Sequence, residues 1–251
     1  MIWPDLMSEI EQRDVLIYAL DADGLAEARE WIIRLRPAVG VFKIGFQLFL
    51  REGPKAVALA HKLGVKVFLD LKFHDIPHTV EQAAREAARL GVFMFNVHAA
   101  GGSQMMEAAA RGARQEAEKL GGEAPRVLGV TVLTSMDQAT VKQVGVRRGP
   151  EKQVDLLAAL AKQSGLSGVV ASPREAKRIR AKLGKDFLIV CPGIRPAGAD
   201  KGDQARISTP GAAIQAGADY IVVGRPIRDA KDPEAAARAI VEEARGAKKI
   251  K

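Results

Sequence analysis

Charged side chains interrupt a strand-like apolar run at residues 68–79, FLDLKFHDIPHT. Side chains two apart on a β-strand share a face, so the pattern predicts that Asp70 and Lys72 lie on one side of a sheet. The opposite face is apolar and consists of Val67, Leu69, Leu71 and Phe73. A buried acid and base cost several kcal/mol each unless paired. Such a pair is suited to proton transfer and to stabilising charge in a reaction.

An exposed edge strand with a charged, solvated face shows the same alternation, and the rest of the chain must separate the two interpretations. Eight apolar runs alternate with eight helical stretches along the 251 residues. The runs are 15–20, 41–44, 65–71, 92–97, 127–132, 168–171, 187–191 and 220–223. The helical stretches are 25–35, 54–63, 79–90, 104–119, 150–163, 173–183, 209–216 and 233–247. This count predicts a (β/α)8 TIM barrel.

An open doubly wound α/β sheet is the structural alternative. It requires a GxGxxG turn after the first strand, and residues 21–24 read DADG. Because no change in composition or Pro/Ser-rich linker divides the chain, we expect residues 1–251 to form a single domain. Residues 192–208 form the longest irregular segment, and loops of that length often cover binding sites.

Composition limits the classes of partner. The net charge of +8 suits binding of nucleic acid or of anionic small molecules. The basic residues are spread out, however, and the aromatic residues, 5% of the chain, are not interleaved with Arg or Lys as a surface for stacking bases would require. We therefore expect an anionic metabolite and no nucleic acid. The single cysteine excludes an intrachain disulfide and a CxxC zinc motif. Neither a signal or transit peptide nor an apolar run of bilayer length is apparent, so we expect a cytoplasmic protein with no membrane partner.

The ends of the predicted strands carry polar residues that a barrel would bring to one mouth. They are Asp21, Lys43, Asp70, Lys72, Asn96, His98, Thr131, Thr134, Ser172, Arg195, Gly224 and Arg225. Simpler interpretations exist for some of them. Lys43 alone suits a surface lysine, and Asp21 suits a helix N-cap. For His98, Thr131 and Ser172 we favour hydrogen bonds to backbone, turns or caps.

The last two predicted units carry residues suited to a phosphate group. Gly224 follows the eighth strand and lets backbone N–H groups approach an anion, while Arg225 adds a bidentate donor. Arg195, in the loop after the seventh strand, can close over the same group. Barrels often bind phosphate in this place.

Eight segments together resemble the orotidine 5′-phosphate decarboxylase family, most closely its bacterial members. They are residues 19–21 (ALD), 42–45 (FKIG), 70–79 (DLKFHDIPHT), 96–99 (NVHA), 132–135 (VLTS), 192–195 (PGIR), 202–204 (GDQ) and 223–226 (VGRP). The resemblance spans nearly the whole chain in the family's order. It implies decarboxylation of orotidine 5′-monophosphate to uridine 5′-monophosphate and CO2, the last step of pyrimidine nucleotide synthesis, with no metal or organic cofactor.

The resemblance also implies roles for individual residues. Lys72 protonates C6 as CO2 leaves, and Asp70 lies beside the substrate carboxylate and holds Lys72. Lys43 joins the charged network and contacts the ribose, as does Asp21. Asp75 and Thr79 reach into the partner's site across a homodimer interface. The base lies beside Thr134, and the phosphate or the lid above it is held by Arg195, Gln204, Gly224 and Arg225.

Two rival functions remain at this stage. Magnesium-dependent sugar-phosphate decarboxylases or aldolases of the wider superfamily share Asp-x-Lys-x-x-Asp, but they have an acidic metal ligand at the position of Lys43, where an ammonium would repel Mg²⁺. A non-catalytic barrel that binds phosphate or nucleic acid through its positive surface is the second rival. It predicts salt-sensitive binding of nucleic acid but gives no reason for Asp70 and Lys72 inside a barrel.

Overall fold

Eight parallel strands form a closed barrel in the computed structural model, which describes residues 13–196 and 208–248. The strands are β1 (Leu16–Ala19), β2 (Val41–Ile44), β3 (Lys66–Phe73), β4 (Met94–His98), β5 (Arg126–Val130), β6 (Gly168–Val170), β7 (Leu188–Cys191) and β8 (Tyr220–Val223). Each strand pairs with its sequence neighbours, and β8 closes on β1. The (β/α)8 prediction is confirmed. The edge-strand interpretation of residues 68–79 is wrong, because β3 is paired on both sides. The open-sheet alternative is wrong, because β8 pairs with β1 and closes the barrel.

Helices follow the strands around the outside of the barrel. They are α1 (Leu25–Leu35), α2 (Phe46–Glu52), α3 (Pro54–Lys62), α4 (Pro77–Arg89), α5 (Ser103–Leu120), α6 (Gln138–Gln143), α7 (Gly149–Gln163), α8 (Pro173–Leu183), α9 (Pro210–Gln215), α10 (Arg225–Arg228) and α11 (Pro233–Lys248), with a 3₁₀ turn at Ala99–Gly101. The eight predicted helices are present, and α2, α6 and α10 are additional. These three helices have seven, six and four residues, too few for an apolar period to be recognised.

Two clusters of buried apolar residues form the core of the barrel. The inner one takes one buried side chain from each of seven strands: Ile17, Val41, Phe68, Met94, Leu128, Val190 and Val222. The outer one lies between the strands and the helices. Val67 and Leu69 belong to the outer cluster and Phe68 to the inner one, as the alternation along β3 predicts.

The pairing between β3 and β4 is irregular where the charged residues begin. Leu69 pairs with Phe95 and Phe73 with Val97, so three residues of β3 stand opposite Asn96 alone. Such a bulge changes the direction of the side chains that follow it. Lys72 lies in the bulge with φ of 45°, and it is the one non-glycine residue with positive φ in the described ranges.

The loop after β7 begins and ends within the described structure. Ile194 forms a parallel bridge with Ser208, and the Arg195 N–H donates to the Ser208 carbonyl at 2.9 Å. Gln204 lies outside the described residues. Within residues 13–196 and 208–248, none of the helices has the length and apolarity that crossing a membrane requires.

Candidate active site

Asp70 lies between two lysine ammonium groups at the carboxyl ends of β2 and β3. Its Oδ1 is 2.7 Å from Lys72 Nζ, and its Oδ2 is 3.3 Å from Lys43 Nζ. The side chains of Asp70 and Lys43 are each 13% exposed, and that of Lys72 is 27% exposed. The structure therefore brings these three predicted residues together, and Lys43 is not a surface lysine.

The charge of Asp70 is maintained by its neighbours. Burial alone would raise the pKa of this carboxyl, but the positive charges of Lys43 and Lys72 and hydrogen bonds from Lys72 and Asn96 outweigh it. The net effect lowers the pKa of Asp70 below its ordinary value of 3.8. The carboxylate is thus ionised at neutral pH and holds both ammonium groups in place.

Asn96 completes the cluster, although the sequence assigned it no role. Its Nδ2 donates to Asp70 Oδ1 at 2.7 Å, and its Oδ1 accepts from the Lys72 backbone N–H at 2.8 Å. The side chain is buried, at 1% exposure. A polar residue in the apolar strand β4 was the available signal, but its partners depend on the bulge in β3.

Lys72 is held from several directions. Its left-handed backbone conformation costs a non-glycine residue about 1–3 kcal/mol, and its N–H is bound by Asn96. Its ammonium also lies 5.6 Å from the centre of the Phe46 ring, in a cation–π contact from the start of α2. These contacts fix the direction of the amine at the barrel mouth.

Asp21 lies at the rim of the same cluster. Its Oδ1 is 3.9 Å from Lys43 Nζ, and its side chain is 48% exposed. The N-cap of α1 is Gly24, with no side-chain hydrogen bond, so the capping interpretation of Asp21 is wrong. The exposed carboxylate can accept hydrogen bonds from the hydroxyl groups of a ligand while it remains near Lys43.

Asp75 and Thr79 lie outside this cluster within one chain. Both are exposed, Thr79 in the first turn of α4 and Asp75 just before it. Asp75 Oδ1 accepts a hydrogen bond from the Ile76 N–H at 2.6 Å. In the described residues of a single chain, Asp75 forms no ion pair with Lys43 or Lys72, and its predicted role across a dimer interface stays a prediction.

A cavity of about 250 Å³ opens beside the charged cluster. Lys43, Asp70 and Lys72 form one end of it, and Thr134 and Ser135 contribute hydroxyl groups. Its remaining wall is mainly apolar: Phe68, Val130, Val132, Leu133, Val170, Ala171, Pro192 and Val222, with Asn96 beside Asp70. An apolar slot with charges at one end suits a flat ring that carries a reacting anionic group.

The predicted phosphate residues flank the mouth at β7 and β8. Arg195 is buried, and its Nη1 donates to the Ile194 carbonyl at 3.0 Å. Gly224 follows β8, and a Cβ there would lie 3.2 Å from the Cβ of Ala19 at the end of β1. Arg225 is exposed at the start of α10. These residues lie at the same end of the barrel as Asp70, where (β/α)8 barrels often bind phosphate.

Three polar strand-end residues remain: Thr131 and Ser172 form structural hydrogen bonds, and His98 lies beside a second histidine. Thr131 Oγ1 donates to the Val170 carbonyl at 3.0 Å, and Ser172 caps α8, as predicted. The His98 ring instead lies 5.4 Å from the His74 ring, and burial is the main cause that lowers the pKa of His98. Among the residues that the structure describes, no cluster of three or more His, Cys, Asp or Glu side chains could hold a metal ion.

The barrel and its charged mouth define a (β/α)8-barrel enzyme with its reactive groups at the carboxyl ends of the strands. The model of the orotidine 5′-phosphate decarboxylase / HUMPS family matches residues 14–240, and the chain belongs to this family.

Relatives cover nearly the whole chain. An orotidine 5′-phosphate decarboxylase of Syntrophotalea carbinolica is 56% identical over 93% of this chain and 96% of its own length. One of Moorella thermoacetica is 51% identical over 94% of each chain. The crystal structure of orotidine 5′-phosphate decarboxylase from Lactobacillus acidophilus superposes with a TM-score of 0.81 at 39% identity, covering 92% of this chain and 99% of that one. The predicted family is confirmed.

Proposed function

We propose that this protein decarboxylates orotidine 5′-monophosphate to uridine 5′-monophosphate and CO2, the last step of de novo pyrimidine synthesis. The observation that carries the proposal is the Asp70 carboxylate held between Lys43 and Lys72 beside a cavity with apolar walls. The names of the relatives support the same substrate. Cytoplasmic location remains a prediction from the sequence.

The chemistry requires a positive proton donor at one ring carbon. When the bond between C6 and the carboxylate breaks, CO2 leaves and the electron pair stays on C6 in the plane of the ring. The Lys72 ammonium stabilises that charge and transfers a proton to C6. The neutral amine then regains a proton from water, which restores the starting state. Asp70 holds the amine in position and favours its charged form before the transfer and after the amine is reprotonated.

The other site residues bind the parts of the nucleotide that do not react. Asp21 and Lys43 contact the ribose hydroxyls, and Thr134 lies beside the base. The phosphate, or the lid above it, is held by Arg195, Gln204, Gly224 and Arg225. Binding of this remote group supplies free energy that orders the site around the ring.

The active form is a homodimer in which Asp75 and Thr79 act in the partner's site. Support comes from apolar side chains left in water beside the mouth: Phe46 is 51% exposed, Leu50 81% and Ile76 66%. Phe46 and Leu50 are four residues apart on α2 and so share a face. Exposed apolar groups of this kind mark surfaces that bind other proteins.

Turnover in the presence of a chelator tests the proposed activity. The protein is mixed with orotidine 5′-monophosphate in EDTA, and the loss of ultraviolet absorbance is followed. We expect full turnover, because the Lys43 ammonium lies beside Asp70 where the magnesium-dependent rival needs a metal ligand. Turnover that appears only with added Mg²⁺ would favour that rival, and tight, salt-sensitive nucleic-acid binding without turnover would favour the non-catalytic barrel.

Mixed dimers test the shared site. We expect Asp75→Asn and Lys72→Ala chains, each inactive alone, to regain activity when mixed, because one of the two sites in a mixed dimer then contains neither substitution. Subunit exchange is verified independently with chains of different mass. No recovery after proven exchange would contradict the role of Asp75 across the interface.

A further inference from the structure

We propose that Asn96 is a positioning residue for the reaction, which sets the direction of both Asp70 and Lys72. The inference rests on the proposed decarboxylation and deepens it. Asn96 is the one residue of β4 that faces the bulge in β3, between the pairs Leu69–Phe95 and Phe73–Val97. A residue at that position can reach the side chain of the first bulged residue and the backbone of the third.

The two ends of the Asn96 amide serve different partners. The Nδ2 group donates to Asp70 Oδ1 at 2.7 Å, while Oδ1 accepts from the Lys72 N–H at 2.8 Å. The reverse orientation would place oxygen against the carboxylate and N–H against N–H. The contacts therefore require an amide of this length, with a donor and an acceptor.

Both contacts act on groups that would otherwise have freedom to move. Asp70 Oδ1 receives donors from Asn96 and from Lys72 Nζ, so its carboxylate plane is fixed while Oδ2 remains toward Lys43. The Lys72 backbone has φ of 45°, an unfavourable conformation for a lysine. The hydrogen bond from its N–H to Asn96 stabilises that conformation and so fixes the backbone position from which the Lys72 side chain extends.

Asn96 has the burial expected of such a role. It is 1% exposed, so its amide is shielded from bulk solvent and its hydrogen bonds are stronger than they would be in water. The charged and titratable groups that face Asp70 are Lys43 from β2, Lys72 from its own strand and His98 from β4, with Asp21 beyond Lys43. Of these groups Lys72 donates to Asp70 Oδ1, so without Asn96 this oxygen is held by the mobile ammonium and loses its second, fixed donor.

Three variants separate positioning from packing. Asn96→Ala removes both contacts. Asn96→Asp keeps the size and the acceptor for Lys72 but replaces the donor to Asp70 by a second carboxylate. Thr131→Val is the matched control, because Thr131 is a buried strand-end residue whose hydroxyl donates to the Val170 carbonyl, away from Asp70.

We measure kcat with orotidine 5′-monophosphate, the Kd of uridine 5′-monophosphate, and the folded fraction by circular dichroism. We expect Asn96→Ala to lower kcat by about 10- to 100-fold per folded site, as expected for loss of a hydrogen bond to a charged group. The Kd of the product should stay within about threefold, because the amide holds catalytic groups and not the nucleotide. Thr131→Val should leave kcat within about threefold of the parent.

The pH profile of Asn96→Asp gives a readout that packing would not change. When the introduced carboxyl group is protonated it can donate to Asp70, whereas two carboxylates repel and share one proton. We expect the ratio of variant to parent kcat to rise toward acid pH, by up to about tenfold per pH unit while the pair is ionised.

Three results would overturn the inference while the parent remains active. These are kcat of both Asn96 variants within about threefold of Thr131→Val, a ratio for Asn96→Asp that is flat with pH, or loss of product binding as large as the loss of kcat. If Asn96→Ala does not fold, the isosteric Asn96→Asp still decides the question. A parent that fails to decarboxylate the nucleotide contradicts the proposed function instead, so the two failures are distinguishable.

Discussion

Removing the charge of Asp70 should destabilise the protein as well as inactivate it. In Asp70→Asn the side chain keeps its size, but Lys43 and Lys72 lose the carboxylate that lies between them. An amide cannot offer two acceptor oxygens, so one end of it would point N–H groups at an ammonium. The folded state then contains two partly buried positive charges that have lost the carboxylate they shared, and Lys43 retains the more distant and exposed Asp21, at 3.9 Å.

The distances set the size of the effect. At 2.7 and 3.3 Å, each attraction is on the order of 5–6 kcal/mol at an effective dielectric constant of about 20. Desolvation opposes most of it, and breaking a buried ion pair costs about 3–5 kcal/mol. Lys72 is 27% exposed and can turn partly to water, which favours the lower end of that range. We therefore expect Asp70→Asn to lower the free energy of unfolding by about 3 kcal/mol.

Urea unfolding at pH 7 and one fixed protein concentration measures this loss. A double-mutant cycle with Lys43→Met isolates the electrostatic part, since removing Lys43 relieves the repulsion that Asp70→Asn creates. The double variant should lose about 1–3 kcal/mol less than the sum of the single losses. Glu234→Gln is the control: it breaks an exposed pair with Arg238 at 2.6 Å and should change stability by less than about 1 kcal/mol.

Either of two results would refute this reasoning. One is a stability of Asp70→Asn within about 0.5 kcal/mol of the parent, the ordinary range for surface substitutions. The other is strict additivity in the cycle with Lys43→Met, which would show that the two charges do not interact in the folded protein.

Three further predictions concern the same cluster. The pKa of Asp70 is lowered from 3.8 in the folded protein, so its stabilising contribution is complete above that pH and is lost as the pH falls through the folded-state pKa. In urea titrations, the stability difference between the parent and Asp70→Asn should therefore shrink below about pH 4. A difference that stays constant with pH would contradict this. A Cβ at Gly45 would lie 3.1 Å from Lys43 Nζ and would displace the ammonium. Gly45→Ala should therefore lower kcat by about three- to tenfold with little change in stability. An unchanged kcat would show that the ammonium adjusts freely. Phe46→Leu removes a cation–π contact with Lys72 worth about 0.5–1 kcal/mol, so steady-state kinetics should show a two- to fivefold lower kcat, and a loss of tenfold or more would point to another role of the ring.

The barrel and the central charges could be predicted from the sequence because both depend on local patterns. Alternation along β3 assigned Phe68 to the interior and Val67 to the helix-covered face. Since the carboxyl ends of all strands meet at one mouth, the strand-end positions of Lys43, Asp70 and Lys72 were sufficient to place them together.

Features that depend on strand register or on a second chain could not be predicted in the same way. The role of Asn96 follows from a bulge in β3, and no residue in the sequence marks where the pairing shifts. The short helix α2, which carries Phe46 to Lys72, has too few turns to show a period. Asp75 is exposed in a single chain, so the role proposed for it depends on a partner's surface that local patterns do not describe.

The central claim is that the Lys72 amine delivers the proton, and aminoethylation tests it most directly. Cys191 is the only cysteine in the sequence and is buried with no exposed surface, so a thiol introduced by Lys72→Cys can be alkylated selectively to restore a side chain that ends in an ammonium. We expect Lys72→Cys to bind uridine 5′-monophosphate but to lose at least about 10⁴-fold in kcat, and the alkylated protein to recover a substantial part of that loss. Near-parental turnover by unmodified Lys72→Cys would contradict the account. So would a lack of recovery in alkylated protein that carries one aminoethyl group by mass spectrometry and still binds the nucleotide.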